Sequence, residues 1–222
     1  MEDIIVPPIF KDYDVIAIFT TKALGLKNIL IKYPFDRIYI PLQKHTDKIV
    51  VLDFDRSERI GDGVVTKERG IMIGVQVADC VPILLFDRRR DVVAAVHAGW
   101  RGTASGILKK MIELMERRYH SFKDDIILSI GPSIRWCCYE VGYDVLEAVK
   151  KETGNGDYFL EKGQKYCLDL PTANKYQALG AGIKEKNIWL SNECTYCLPE
   201  KYYSYRFSKG ITGRQYGLIG MV

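Results

Sequence analysis

Apolar residues fall along this chain in short runs separated by turn residues. Runs at 15–21 (VIAIFTT), 37–42 (RIYIPL), 48–52 (KIVVL), 63–66 (GVVT) and 71–78 (IMIGVQVA) predict strands. So do 81–86 (VPILLF), 92–97 (VVAAVH), 126–131 (IILSIG), 187–190 (NIWL), 202–207 (YYSYRF) and 216–222 (YGLIGMV). Three stretches carry helical spacing instead. In the clearest, 103–119, Ile107, Leu108, Met111, Ile112, Leu114 and Met115 recur on one face, with Thr103 placed to cap the start and Arg117, Arg118 and His120 suited to the end. The others are 143–152 and a segment from Pro171 that Gly180 or Gly182 would stop. Strands and helices do not alternate regularly, so the pattern predicts an α+β domain with mixed sheets. No linker or repeat divides the chain, and one domain over 1–222 is expected. The runs 81–86 and 92–96 are apolar on both faces, which belongs in a sheet covered on both sides.

Those two runs also place the most suggestive chemistry. If they form a hairpin with a four-residue turn at 87–90, Phe86 faces Asp91 and Cys80 faces His97, on one side of the sheet and with Cα atoms about 4.5 to 5.5 Å apart. A slip of one residue would separate them. Pro82 fits only near a strand start or on an edge, which puts Cys80 at the strand's mouth. Each residue alone has a plain reading, the cysteine as a buried small hydrophobe and the histidine as a hydrogen-bonded strand end. Together they can share an ion, which needs a third donor. The chain has three histidines. His120 ends an amphipathic helix, whereas His45 lies in a polar turn after a strand, so His45 is the better candidate. The segment after His97, AGWRGT, leads into a helix, where free amides and Arg101 would suit an anion.

Composition narrows the classes. With 222 residues, 47% hydrophobic and 27% charged, the chain can bury a sizeable core. The net charge of +4 is scattered, without a basic stripe interleaved with aromatics, so no nucleic-acid partner is expected. No apolar run approaches the about 18 residues of a membrane span, and the start, MEDIIVPPIF, does not read as a signal peptide; a cytoplasmic protein with no membrane partner is expected. Nothing in the sequence decides between monomer and homodimer. The six cysteines are then thiols or ligands rather than disulfides. Cys194 and Cys197 have CxxC spacing, but no second CxxC or CxxH accompanies them, and Cys137 and Cys138 are adjacent, a poor arrangement for one ion. Thiols are the default expectation there.

The motifs GDGVVT (61–66), ADCVPILLFD (78–87), AAVHAGWRGT (94–103), SIGPSIRWCCYEVG (129–142), ECTY (193–196) and YSYRFSKGITGRQYGLI (203–219) resemble the YfiH or laccase-domain family, also called the multicopper polyphenol oxidoreductase or purine nucleoside phosphorylase family. The resemblance implies a layered α/β/β/α sandwich. It also implies a Zn2+ site of His45, Cys80 and His97, although QKHT departs from the family's Gln-Val-His-Gly segment at Lys44 and Thr46. It further implies phosphorolysis of adenosine, inosine, guanosine and methylthioadenosine. An open fourth position on such a zinc would also suit deamination of adenosine. Arg101 is then expected to be catalytic and, with Arg206, Arg214 and Asp62, to bind substrate. Asp62 and Glu140 are candidates for proton transfer, Asp79 for a structural role, and Trp100 for stacking on a purine. The older family name implies phenol oxidation. Three histidines are too few for a multicopper cluster, and a single copper, possible for a His2Cys donor set, ranks below purine chemistry. Two further alternatives stand: a metal-free hydrolase using Cys80 and His97, and a closed structural zinc.

Overall fold

The structure is a computed structural model and describes residues 3–52 and 57–222. In chain order the strands are β1 (Ile4–Ile5), β2 (Val15–Thr20), β3 (Arg37–Tyr39), β4 (Ile49–Val51), β5 (Gly63–Thr66), β6 (Ile71–Val77), β7 (Val81–Asp87), β8 (Val92–Ala98), β9 (Ile126–Ile130), β10 (Glu140–Val141), β11 (Phe159–Lys162), β12 (Lys165–Leu168), β13 (Ile188–Leu190) and β14 (Gln215–Met221). The helices are α1 (Leu26–Lys32), α2 (Trp100–Ala104), α3 (Ile107–Tyr119), α4 (Tyr143–Thr153) and α5 (Leu170–Gly180). One mixed sheet runs β13-β9-β7-β8-β5-β4, and a second runs β1-β2-β14-β6-β3; a small antiparallel sheet, β10-β12-β11, stands apart.

The period-two pattern of β7 explains the layering. Val81, Ile83 and Leu85 pack with Ile107, Met111 and Met115 of α3. Leu84 and Phe86 point the other way and pack with Phe19, Ile73, Val75 and Ile219 of the second sheet. The far face of that sheet meets Ile29 of α1 through Ile18, Met72 and Leu218. The result is the expected α/β/β/α sandwich of mixed sheets. Truncating a residue such as Leu84, fully buried between the sheets, is expected to cost about 2–5 kcal/mol.

The hairpin register differs from the expectation. Pro82, not Cys80, lies opposite His97, and Val81 opposite Ala98. Asp87 extends β7 by one residue, because its carboxylate accepts from the Arg89 and Arg90 amides and starts the turn after itself; Asp91 closes the turn with φ 52°. The shift is two residues, so Cys80 and His97 keep the same face and become diagonal neighbours. Pro82 sits at the start of a central strand, where its carbonyl accepts from Gly131.

Other differences have local causes. Gly106, at φ 67°, breaks the long helix, so Thr103 does not cap it but lies inside α2, where its hydroxyl accepts from Asn174. The anion site expected at a helix start has only the one-turn α2 behind it. The run 202–207 is not a strand: Ser204 and the Arg206 amide bond the Asp79 carboxylate, and the Tyr203 amide bonds Gln215, so side chains replace a ladder.

Candidate metal centre

Asp62, at the end of the turn before β5, organises two of the expected ligands at once. Its buried carboxylate accepts from the amides of Lys44, His45 and Thr46 and from the Thr46 hydroxyl at 2.7–3.2 Å. These bonds fold the 44–46 turn and hold His45 at φ 57°. The same carboxylate takes His97 Nδ1 at 2.8 Å, while the Asp62 carbonyl takes the His97 amide at 2.7 Å. Gln43 fastens the turn to β6 by paired bonds with the Gln76 backbone.

With Nδ1 engaged, His97 turns Nε2 toward the other donors, the arrangement by which a carboxylate orients a metal-binding imidazole. Donor atoms of His45, Cys80 and His97 all lie within 4.8 Å of one another, and Cys80 Sγ is 4.0 Å from His45 Nε2. A tetrahedral zinc with metal–sulfur about 2.3 Å and metal–nitrogen about 2.0–2.1 Å needs sulfur and nitrogen about 3.5 Å apart, so the three fit such an ion with small adjustments. Gly99 makes the approach possible: a Cβ there would lie 3.0 Å from Cys80 Sγ and 3.3 Å from the His45 ring.

The electrostatics agree with a cation-binding role. Burial opposes ionisation of Cys80, yet the two histidines outweigh it and draw the thiol down to about 6. Burial likewise opposes charge on His97, but the Cys80 sulfur and the Asp62 carboxylate raise it. Asp62 is pushed up by burial and more than compensated by its bonds to His97 and Thr46, so it stays ionised well below the usual carboxylate range.

The three donors open into a cavity of about 490 Å3. Arg101, Arg206 and Arg214 line it as well, although they come from three separate parts of the chain. Arg101 stacks on Trp100 at 4.4 Å, and Arg206 lies over the Tyr139 ring at 5.2 Å. Among the described residues none of these guanidiniums pairs with a carboxylate, which removes the structural ion pair as an explanation for them.

Two expectations need correction. Asp62 is fully buried, its oxygens are committed to protein donors and it does not line the cavity, so it positions His45 and His97 rather than facing a substrate. The Glu140 carboxylate pairs with Lys162 and Lys165 rather than facing the cavity. Asp79 has the structural role expected. It is buried at φ 82° and takes Thr195 Oγ1 at 2.6 Å, Ser204 Oγ at 3.0 Å and the Arg206 amide at 2.7 Å, tying the C-terminal loop to the strand mouth. His120 caps α3 and is not among the grouped donors. Tyr139, Tyr205 and Gln43 line the cavity without having been singled out; Tyr139 and Tyr205 lie inside the CCYEVG and YSYRF motifs, where only the motif marked them.

The model of the family described as multi-copper polyphenol oxidoreductase laccase matches residues 25–222. The chain is 37% identical over 170 residues to a protein of Geobacillus stearothermophilus named purine nucleoside phosphorylase YlmD, covering 72% of this chain and 59% of that one. It is 38% identical over 184 residues to adenosine deaminase RL5 of an unknown prokaryotic organism, covering 77% and 70%. The crystal structure of YlmD from Geobacillus stearothermophilus superposes with a TM-score of 0.89 at 30% identity, over 96% of this chain and 93% of that one.

Proposed function

The chain belongs to the multi-copper polyphenol oxidoreductase laccase family, and from that premise we propose that it is a zinc-dependent purine nucleoside enzyme. It cleaves adenosine, inosine, guanosine and methylthioadenosine with phosphate to base and ribose 1-phosphate, and it deaminates adenosine at the same site. The observation that carries this reading is the placing of two histidines, one cysteine and three carboxylate-free arginines on one cavity. The names of the relatives, phosphorylase and deaminase, support it.

Zinc bound by His45, Cys80 and His97 would supply Lewis acidity at an open coordination position. The chain's own groups do the rest. Asp62 fixes the His97 tautomer and the His45 turn. Arg101, held flat by Trp100, binds phosphate with Arg206 and Arg214 as charge-assisted donors. In phosphorolysis a phosphate oxygen bonds to C1′ as the C1′–N bond breaks; the electron pair goes to the base, which gains a proton. Burial pushes Tyr139 up to about 12, so its hydroxyl stays neutral and can donate a hydrogen bond to substrate. In deamination water adds at C6 and ammonia leaves.

Copper fits less well. With His120 elsewhere, two imidazoles cannot build a multicopper cluster, and no methionine among the described residues lines the cavity as an axial ligand. One observation favours a second reading: Asp62, His97 and Cys80 form a carboxylate–imidazole–thiol series, as a metal-free cysteine hydrolase would need. Chelation separates the two, since a thiol nucleophile survives it.

The test is product analysis of adenosine incubated with the zinc-loaded protein, with and without phosphate, beside Cys80→Ala. Adenine that requires phosphate and inosine that does not, both absent from Cys80→Ala, are expected. Zinc-loaded protein that yields neither product overturns the reading.

A further inference from the structure

Four of the six cysteines lie outside the cavity centre and together. Sulfurs of Cys137, Cys138, Cys194 and Cys197 all fall within 4.8 Å of one another, with Cys137–Cys197 at 3.7 Å and Cys138–Cys197 at 3.3 Å. All four are free thiols. A tetrahedral zinc with metal–sulfur distances of about 2.3 Å holds its sulfurs about 3.8 Å apart, close to this spacing.

The backbone shows why adjacency of Cys137 and Cys138 is no obstacle. Residues 136–138 form a turn in which the Cys138 and Tyr139 amides both bond the Arg135 carbonyl, at 2.9 and 3.0 Å. Neighbouring side chains therefore do not alternate as on a strand, and both sulfurs reach the cluster. The CTYC segment makes a second turn, closed by the Leu198 amide on the Cys194 carbonyl at 3.2 Å. A bridge between Ser133 and Cys194 joins the two turns, with the Thr195 amide on the Ser133 carbonyl at 3.1 Å. The Arg135 amide donates to Cys194 Sγ at 3.4 Å, the kind of bond that stabilises a thiolate. The Arg135 guanidinium braces the same junction through Asp169 and the Ser191 carbonyl.

We propose that Cys137, Cys138, Cys194 and Cys197 form a second metal site, a closed tetrathiolate zinc site separate from the cavity centre. Four soft donors leave no open position, so its role is structural. Binding releases the thiol protons to solvent and fastens the turn at 136–138 to the turn at 195–197. Tyr139, directly after the first turn, lines the cavity, and the segment after the second turn carries Tyr205, Arg206 and Arg214, which line it too. The metal would reinforce a junction that Asp79 already makes through Thr195, Ser204 and the Arg206 amide. It also covers Cys137 and Cys197, which are exposed and would otherwise be open to oxidation.

The experiment begins with Cys80→Ala, which disables the cavity centre and leaves the four thiols. Metal analysis of this variant is expected to give about one zinc per chain, and X-ray absorption a shell of four sulfurs at about 2.3 Å. Adding Cys197→Ser is expected to remove that zinc. If Cys80→Ala does not fold, metal analysis of the wild-type chain and of Cys197→Ser serves, with about two and one zinc per chain expected, and the loss of sulfur neighbours from wild type to variant replaces the absolute shell. An absent second zinc, a shell dominated by nitrogen or oxygen, another metal in its place, or a mass short of two hydrogens from a disulfide within the cluster would each overturn the proposal.

Discussion

The molecule carries two clusters of soft donors, and they are built in opposite ways. The cavity centre has three donors, two of them imidazoles, and a buried carboxylate behind them. The thiol cluster has four donors, two exposed, one half-buried and one buried, and no carboxylate among them. A four-coordinate metal on the first would keep a position facing a cavity lined with arginines; on the second it would keep none. Donor count and surroundings, rather than the presence of cysteine, separate a centre suited to chemistry from one suited to holding loops together.

The comparison is sharpened most by Cys80→Ala. Turnover of adenosine is expected to fall by about a thousandfold or more, as loss of several kcal/mol of transition-state stabilisation implies, while the thiol cluster keeps its zinc. Equal loss of metal from both clusters would show that they are not independent. Asp62→Asn tests the carboxylate behind the centre. Zinc affinity at the cavity is expected to weaken by about 10–100-fold in competition with a chelator, with the thiol cluster unchanged. Arg101→Ala is expected to raise KM for phosphate by about tenfold and to leave adenosine deamination without phosphate nearly intact; equal loss of both activities would place Arg101 elsewhere in the mechanism. The smallest effect concerns titration in metal-free protein. Cys80 is drawn from the ordinary 9.0 to about 6, so its alkylation, followed by peptide mass spectrometry, should remain fast as pH falls and decline only through about pH 6. A decline near pH 9 would mean that the histidines do not stabilise the thiolate.

Much of the fold was legible because apolar period and strand length agree along most of the chain. The doubly apolar β7 and β8 announced a covered sheet, and the α3 stripe at Ile107, Met111 and Met115 became a core face. Cys80 and His97 share a face despite a register two residues from the expected one, because a slip of two preserves the face. What was not legible depended on side chains that replace backbone partners. The run at 202–207 has strand composition, yet Asp79 and Gln215 take its hydrogen bonds. Asp62 was read as a group for substrate because sequence does not show that one carboxylate serves a turn and a histidine together. The grouping of the four thiols is not legible for the same reason: residues 137–138 and 194–197 are brought together by contacts distant in sequence, among them the Ser133–Cys194 bridge and the Arg135 amide on Cys194 Sγ.

The most direct test of the cavity centre is removal and return of its metal. Chelated, metal-free protein is given adenosine and phosphate, products are measured, and zinc is then added back. No product from the metal-free protein, with adenine and ribose 1-phosphate restored by zinc, is the predicted result. Full turnover without metal, or zinc bound at the centre without product, would contradict the account.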